Sequence, residues 1–351
     1  MIKIAHITGD IRKNKISGPK ESITRLSKKI YEQGNIADIY SINEPSFFYN
    51  NIEIRSYNSL ILENYDVIVL VGLYHVKFLP LLLRALWLGK KIIISPRSNL
   101  TKRSISSSFK KKAYLFLLGP IINRTYIHFL SNEECAQSYF SNRLGFISGN
   151  GVDESKIYLD LKDKSFSDKD EPFVIGYMGR LDIEHKGIDV LFDSLSLVKR
   201  SKINIIIYGP KHRNLSLKSY LNNIPKNIKV EYFEWPLNTV EEKKQFFEKI
   251  DFFIHTSKYE GVPQSVLESI ANGVPVIVSK GTNIHSLISE NELGFNFDST
   301  PRELADVLDS ISDIEEEEYN KMRLNCKLYG CNNLSWNKQA DEFMQGVLSV
   351  V

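Results

Sequence analysis

Short apolar runs alternate with longer stretches of helical periodicity along most of this chain. Such alternation is typical of βαβ units and parallel sheets. The runs predict strands in the first half at Ile2–Ile7, Ala37–Ser41, Val67–Val71, Ile92–Ser95 and Ile127–Leu130. A second series predicts strands at Phe173–Tyr177, Ile203–Tyr208, Lys229–Phe233, Phe252–His255 and Val274–Val278. The pattern therefore predicts an α/β protein with two doubly wound, Rossmann-like domains in tandem.

Helical periodicity predicts a helix near each end of the chain, and a polar segment predicts the linker between the two domains. One helix is expected from Glu21 to about Gln33, ending at Gly34, and another from Trp336 to Val350. Between the two series of strands, the segment from Leu161 to Glu171 is rich in Ser, Lys and Asp, as is typical of an interdomain linker.

Composition narrows the class of protein. A length of 351 residues, with 42% hydrophobic and 25% charged residues, suits two globular domains with full cores. No apolar run of about 18 residues and no signal peptide is found, so a cytoplasmic protein is predicted. The three cysteines lack zinc-ligand spacing, and no metal is expected.

Two carboxylates, Glu260 and Glu268, are separated by a Gly-Val-Pro turn between a predicted strand and a helical pattern. Backbone N–H groups at a helix start, together with the helix dipole, form an anion site. Acids beside such a site favour a neutral ligand with hydroxyl groups to donate, such as a sugar. The alternative is that Glu260 caps the helix and Glu268 is a solvated acid of its first turn.

Two basic residues follow an earlier predicted strand. Arg180 lies in Gly179-Arg180-Leu181, and Lys186 lies in Lys186-Gly187 before the next helix. Together they could hold a pyrophosphate and stabilise its charge as it leaves. With no acidic cluster nearby, these cations would do the work that Mg²⁺ does elsewhere. The alternative is that both are surface ion-pair residues.

Read together, these segments resemble the Glu-x7-Glu signature and diphosphate-binding element of the family-4 retaining glycosyltransferases (glycosyl transferases group 1). Asn150-Gly151-Val152-Asp153 is similar to the segment that closes that family's first domain. The resemblance implies the GT-B fold, in which two Rossmann-like domains face each other across a cleft. It also implies that residues 1–160 and the C-terminal helix 336–351 form the acceptor-side domain, and that residues 161–335 bind the nucleotide-sugar.

The resemblance implies a role for each matched residue. Arg180 and Lys186 would stabilise the leaving diphosphate, and Glu268, on the first turn of its helix, would accept the ribose hydroxyls. Glu260 would meet the transferred sugar, assisted by the backbone of Gly261, Val262, Pro263 and Gln264. The reaction would be a metal-independent hexosyl transfer with retention, in which the departing diphosphate helps to deprotonate the incoming hydroxyl.

Two segments of the first domain also match in part. Ser17-Gly18-Pro19 resembles the family's glycine-rich loop, so Gly18 is expected near the donor phosphates. Arg97 stands where many relatives carry a histidine that contacts the donor sugar. It could instead touch the leaving phosphate or an anionic acceptor. His75 and His128 border apolar strands and are interpreted as structural.

The nucleobase is expected near Gly209-Pro210 and the segment from Phe233 to Pro236. Aromatic side chains there could stack on a base or could belong to the core.

Charge is distributed unevenly. Residues 1–160 carry a balance of +9 and the remainder a balance of −6, and a basic cluster at 110–112 precedes an apolar stretch. This favours peripheral contact with an anionic membrane, the alternative being a core helix with a solvated basic start. No nucleic-acid motif accompanies the basic residues.

The expected function is transfer of a sugar from a nucleoside-diphosphate sugar to a glycan acceptor, lipid-linked and belonging to cell-surface polysaccharide synthesis. Two alternatives remain open. One is a non-catalytic nucleotide-sugar-binding subunit, which Arg97 in place of histidine favours. The other is a soluble enzyme that glycosylates a small molecule.

Overall fold

The computed structural model describes residues 1–9, 11–13, 18–106, 108–141, 143–153, 157, 171–199, 202–212 and 217–351. The chain divides into two compact units, the first being Met1–Gly151 with Trp336–Val351 and the second Val152–Ser335. The predicted linker lies outside the described residues except for Glu171, and so does the predicted boundary at residue 160. Within the described residues, no helix is both long enough and apolar enough to cross a bilayer.

The first unit contains an eight-stranded sheet. Its strands are β1 (Lys3–Thr8), β2 (Ile36–Ser41), β3 (Phe47–Tyr49), β4 (Ile52–Ser56), β5 (Val67–Val71), β6 (Lys91–Ser95), β7 (Tyr126–Phe129) and β8 (Gly145–Ile147). Their order is β3-β4-β2-β1-β5-β6-β7-β8, and β3 pairs antiparallel with β4 while the other neighbours are parallel. The five strands predicted here are present within one residue. The sequence pattern missed β3, β4 and β8, because short strands near a sheet edge show little alternation.

Helices cover both faces of this sheet. They are α1 (Gly18–Glu32), α2 (Phe78–Trp87), α3 (Lys102–Ser106), α4 (Phe109–Ile122), α5 (Asn132–Gln137) and the C-terminal helix (Trp336–Val350). Side chains alternate along β5, so that Val67, Val69 and Val71 pack with α1 and the C-terminal helix. Ile68 and Leu70 point to the opposite face and pack with α2 and α4.

The second unit contains a six-stranded parallel sheet. Its strands are β9 (Phe173–Met178), β10 (Ile203–Tyr208), β11 (Ile228–Phe233), β12 (Phe252–His255), β13 (Val276–Ser279) and β14 (Gly294–Phe297). Its helices are α6 (Ile188–Leu195), α7 (Leu217–Leu221), α8 (Val240–Lys249), α9 (Gln264–Ala271), α10 (His285–Glu290), α11 (Pro301–Ser310) and α12 (Glu316–Asn333). The strand predicted from Val274 begins two residues later, and β14 was not predicted.

The strand order of this sheet, β11-β10-β9-β12-β13-β14, reverses direction at β9. From β9 the chain moves outward to β10 and β11, then returns to place β12 on the other side of β9. The carboxyl ends of β9 and β12 therefore flank a topological switch point. Crevices at such points are where doubly wound sheets bind ligands.

Candidate functional site

The switch point of the second unit brings together residues that lie far apart in sequence. Arg180 and Lys186 follow β9, whereas Glu260 follows β12. The Lys186 ammonium forms an ion pair with Oε1 of Glu260, and the two side chains are only 18% and 15% exposed. The two predicted motifs thus meet through a direct contact in the structure.

Backbone contacts hold the two loops of this site against each other. The amide of Lys258 donates to the carbonyl of His185 (2.9 Å), and the Thr256 hydroxyl donates to the carbonyl of Lys186 (2.9 Å). Gly187 adopts a φ of +61°, and a Cβ there would lie 2.2 Å from the Thr256 carbonyl oxygen. Because only glycine combines that φ with so close an approach, Gly187 sets the position of Lys186.

Two histidines surround the Glu260 carboxylate, and sequence reasoning did not assign either to the site. Nε2 of His255 lies 3.8 Å from Oε1 of Glu260, and Nε2 of His185 lies 3.7 Å from it. The Ser257 hydroxyl contacts both His255 (3.0 Å) and Glu260 (3.4 Å). The position of His255 at the carboxyl end of β12, where doubly wound sheets bind ligands, could have indicated a site residue.

The electrostatics of this cluster favour a carboxylate beside neutral imidazoles. Burial would raise the pKa of Glu260, but the charge of Lys186 and hydrogen bonding with His255 hold that pKa well below its usual range. Burial, reinforced by Lys186, lowers the pKa of His255 to about 4. Burial also lowers the pKa of His185. At neutral pH the site therefore holds one carboxylate and one ammonium in contact.

Arg180 follows the same strand, β9, and its charge helps to lower the pKa of His185. Its side chain is 51% exposed, and Nη2 lies 3.4 Å from Oδ2 of Asp182. The Tyr177 hydroxyl donates to the Arg180 carbonyl (3.1 Å), which fixes the backbone while leaving the side chain in solvent. An exposed guanidinium fork on a fixed backbone can bind phosphate oxygens with little reorganisation.

The helix that carries Glu268 begins earlier than a first-turn position of this residue requires. Pro263 is the N-cap and Gln264 the first residue of α9, so Glu268 lies on the second turn and not on the first. The prediction of a first-turn acid was therefore wrong, because the helix starts directly after Pro263 and Glu268 is its fifth residue. Since Pro263 has no N–H, only Gly261, Val262 and Gln264 can offer backbone donors in this segment.

Glu268 is not solvated either. Its side chain is 2% exposed, and its Oε2 accepts a hydrogen bond from the ammonium of Lys243 on α8 at 2.6 Å. Lys243 was not among the predicted site residues. Its signal is weak, because a lysine on an exposed helix is usually a solvated residue.

The aromatic residues of the expected nucleobase region form one cluster. Tyr208 stacks on Phe233 with ring centroids 4.6 Å apart, and Trp235 lies 5.3 Å from Phe233. They line a cavity of about 150 Å³ beside α8. Trp235 is largely exposed, so this cluster is neither wholly core nor wholly surface.

In the first unit, Gly18 is the first residue of α1 and not part of a loop preceding a helix at Glu21. The expected helix start was wrong, because Pro19 fits the first turn, where its missing N–H costs nothing. Ser17 lies outside the described residues.

Arg97 follows β6 in a strained loop. Arg97 and Ser98 both have positive φ, at +51° and +66°. Nη1 of Arg97 donates to Oδ1 of Asn150 at 2.9 Å, while its buried Nε has no hydrogen-bond partner among the described residues. Burial lowers the pKa of Arg97 to about 10. The structure thus joins Arg97 to the Asn150-Gly151 segment.

The two histidines of the first unit that were interpreted as structural have different surroundings. His128 is buried, bonded to Ser95 and Ser148, and burial lowers its pKa to about 3. His75 accepts from the amide of Lys77 at 3.2 Å.

Comparison with known proteins agrees with this geometry. Residues 160–329 match the family model described as glycosyl transferases group 1. A capsular polysaccharide biosynthesis glycosyltransferase, CapM of Staphylococcus aureus, is 27% identical over 161 residues, which is 43% of this chain and 40% of CapM. The O-antigen biosynthesis glycosyltransferase WclY of Escherichia coli is 30% identical over 162 residues, which is 45% of this chain and 44% of WclY. The chain thus spans less than half the length of these curated relatives.

Solved structures match over nearly the whole chain. The structure of Anabaena HepE in complex with UDP and glucose superposes with a TM-score of 0.70 at 14% identity, covering 99% of this chain and 100% of HepE. At that identity the likeness shows the fold alone. Residues 160–329 thus match the glycosyl transferases group 1 family, and the two units have the GT-B fold.

Proposed function

We propose that the chain is a retaining glycosyltransferase that moves a hexose from a nucleoside-diphosphate sugar to a glycan acceptor. The observation that carries this proposal is the ion pair between Lys186 and Glu260 at the switch point of the second unit. It sets a cation for phosphate and a carboxylate for sugar hydroxyls side by side, with Arg180 and the start of α9 in the same region.

Donor binding would exchange partners within this pair. The diphosphate is a stronger acceptor for Lys186 than a single carboxylate, and Arg180 adds a second cation. Once Lys186 turns to the phosphate, Glu260 would accept a hydrogen bond from a hydroxyl of the transferred sugar. The charge of the departing diphosphate is greatest in the transition state, so both cations act chiefly on turnover. No metal is part of this proposal.

Glu268 would bind the ribose. A buried carboxylate already oriented by Lys243 keeps an acceptor oxygen in a fixed place, which limits the ordering cost of binding. Tyr208, Phe233 and Trp235 line the cavity beside α8 and would lie near the base. The complex of HepE with UDP makes UDP the first nucleotide to test.

The acceptor would be a lipid-linked glycan of cell-surface polysaccharide synthesis, bound by the first unit with Arg97. CapM and WclY, named for capsule and O-antigen synthesis, support that class of acceptor. A second candidate function is a nucleotide-sugar-binding subunit without turnover. It is favoured by Arg97, which is bound to Asn150 in a strained loop.

Thermal unfolding in EDTA with UDP, GDP, ADP, CDP and TDP tests the donor site. A nucleotide at about a hundred times its dissociation constant stabilises the folded protein by roughly 2.7 kcal/mol. We expect one nucleotide to raise Tm and Glu268→Ala to abolish that rise. A folded protein that responds to none of the five contradicts the donor site.

Release of the nucleoside diphosphate from the sugar donor, measured in the presence of a glycan acceptor, distinguishes the glycosyltransferase from the non-catalytic subunit. Binding of a nucleotide with no transfer to lipid-linked acceptors would favour the non-catalytic subunit.

A further inference from the structure

One stretch of the first unit, away from the residues proposed for the donor site, contains basic residues but no acidic ones. From Val67 to Asn132 the sequence contains 7 Lys and 4 Arg but no Asp or Glu. This acid-free stretch includes α2 and α4, which contact each other. Both connect neighbouring parallel strands in the same direction along the sheet, so right-handed crossovers place them on one face.

The outer side of α2 is apolar. Leu83 and Trp87 are exposed on the helix, Trp87 to 84%, and Val76 is exposed just before it. With the exposed Pro80 between them, these positions follow helical spacing and form one stripe. The inner side packs into the core through Phe78, Leu81, Leu82 and Ala85.

The helix α4 repeats this arrangement. Leu118 and Ile122 face the core, yet Phe109, Phe116 and Leu117 are exposed to 84%, 84% and 65%. Exposed Lys110 and Lys112 lie at its first turn, and the ten residues from Ala113 to Ile122 carry no charge. A surface helix that is apolar on both sides exposes area that water disfavours.

We propose that the outer faces of α2 and α4, here called the α2–α4 surface, bind an anionic lipid bilayer. An apolar stripe flanked by lysines is the pattern of helices that lie in a membrane interface. Protein–protein interfaces, in contrast, are depleted in lysine, which disfavours a protein partner. Glu63 pairs with Arg84 of α2 but leaves Lys77, Lys110 and Lys112 to meet lipid phosphates. The inference does not depend on the proposed sugar transfer.

Co-sedimentation of the full chain with vesicles tests this surface. We expect binding to phosphatidylcholine vesicles that contain phosphatidylglycerol and little binding to phosphatidylcholine alone. Phe116→Ser with Leu117→Ser removes apolar area and should weaken the partition tenfold or more. Lys110→Gln with Lys112→Gln should weaken it about 25-fold, since each cation near an anionic surface contributes about fivefold.

The matched control is Leu324→Ser with Leu328→Ser on α12 of the second unit. Those leucines are also exposed and one turn apart, at 48% and 51%, and the change should leave binding unaltered. All variants alter exposed side chains, and circular dichroism should find them folded.

Absence of binding to anionic vesicles overturns the proposal, as does equal loss in the α12 control. A wild-type dimer that Phe116→Ser dissociates, without vesicle binding, would also overturn it by assigning the α2–α4 surface to a second copy. Because the nucleotide-induced change in Tm is measured without lipid, failure of the donor site and failure of the membrane surface give different results.

Discussion

Breaking the ion pair between Lys243 and Glu268 should lower the stability of the protein by an amount that follows from its burial. Replacing Lys243 with Met keeps the length of the side chain but removes the ammonium that lies 2.6 Å from Oε2 of Glu268. The Glu268 side chain is 2% exposed, so water compensates poorly for the lost partner. The variant therefore leaves a charged carboxylate buried between α8 and α9.

Breaking a buried ion pair by removing one partner costs about 3–5 kcal/mol. Lys243 is itself 18% exposed, which places this pair near the lower end, at about 3 kcal/mol. For a unit of the size of Val152–Ser335, each kcal/mol lowers Tm by roughly 2–4 °C. We therefore expect Lys243→Met to lower Tm by about 6–12 °C.

Urea unfolding of a double-mutant cycle measures the coupling directly. Glu268→Gln in the Lys243→Met background removes the buried charge and should recover most of the lost stability. Lys244→Met is the matched control on the same helix, because its carboxylate partner Glu248 lies 3.9 Å away at the surface. Such a pair contributes at most about 0.5 kcal/mol. If Lys243→Met costs no more than Lys244→Met, or if the double variant is the least stable, the pair is not a buried one.

Three further outcomes are expected. Gly187→Ala should lower the free energy of unfolding by more than about 1–2 kcal/mol and abolish nucleotide-induced stabilisation, because its Cβ would meet the Thr256 carbonyl. The control Gly89→Ala, with a φ of +67° and open space around it, should cost the backbone strain alone. Equal losses of stability in urea unfolding would contradict the role of the close approach. Arg180→Ala should lower kcat more than it weakens donor affinity, and parallel losses in steady-state kinetics would reject a transition-state role. The buried neutral His128, with its pKa lowered to about 3, contributes stability that is complete above pH 6.5 and is lost as pH falls below it. In urea unfolding, His128→Gln should reduce the stability lost between pH 7 and 5 by about 2 kcal/mol, and an undiminished loss in this variant would argue against a buried neutral His128.

Much of the fold could be predicted from local pattern because the central strands are buried on both faces. A strand such as Val67–Val71 is a continuous run of buried apolar residues, and the structure has it where it was expected. The edge hairpin of Phe47–Tyr49 and Ile52–Ser56 was not predicted, since such short strands beside solvent show no continuous apolar run. The starts of α1 and α9 were also predicted wrongly, at the positions where Pro19 and Pro263 determine the first turn.

The candidate site was predictable only as separate pieces. The sequence offered Arg180, Lys186, Glu260 and Glu268 as candidate site residues, because residue type and position after a strand are local properties. It did not indicate that Lys186 binds Glu260, because residues more than seventy positions apart meet only when β9 and β12 become neighbours. Three-dimensional packing also decided that Glu268 is buried against Lys243.

The sequence by itself thus determined the α/β class, the series of parallel strands and the residue types available at their ends. These follow from hydrophobic periodicity and turn chemistry, which act over a few residues. Tertiary structure alone decided which charges are paired, which histidines are held neutral and which apolar side chains of α2 and α4 stay exposed. Pairing, burial and exposure depend on what packs against a residue, and in this fold the partners come from distant strands and helices.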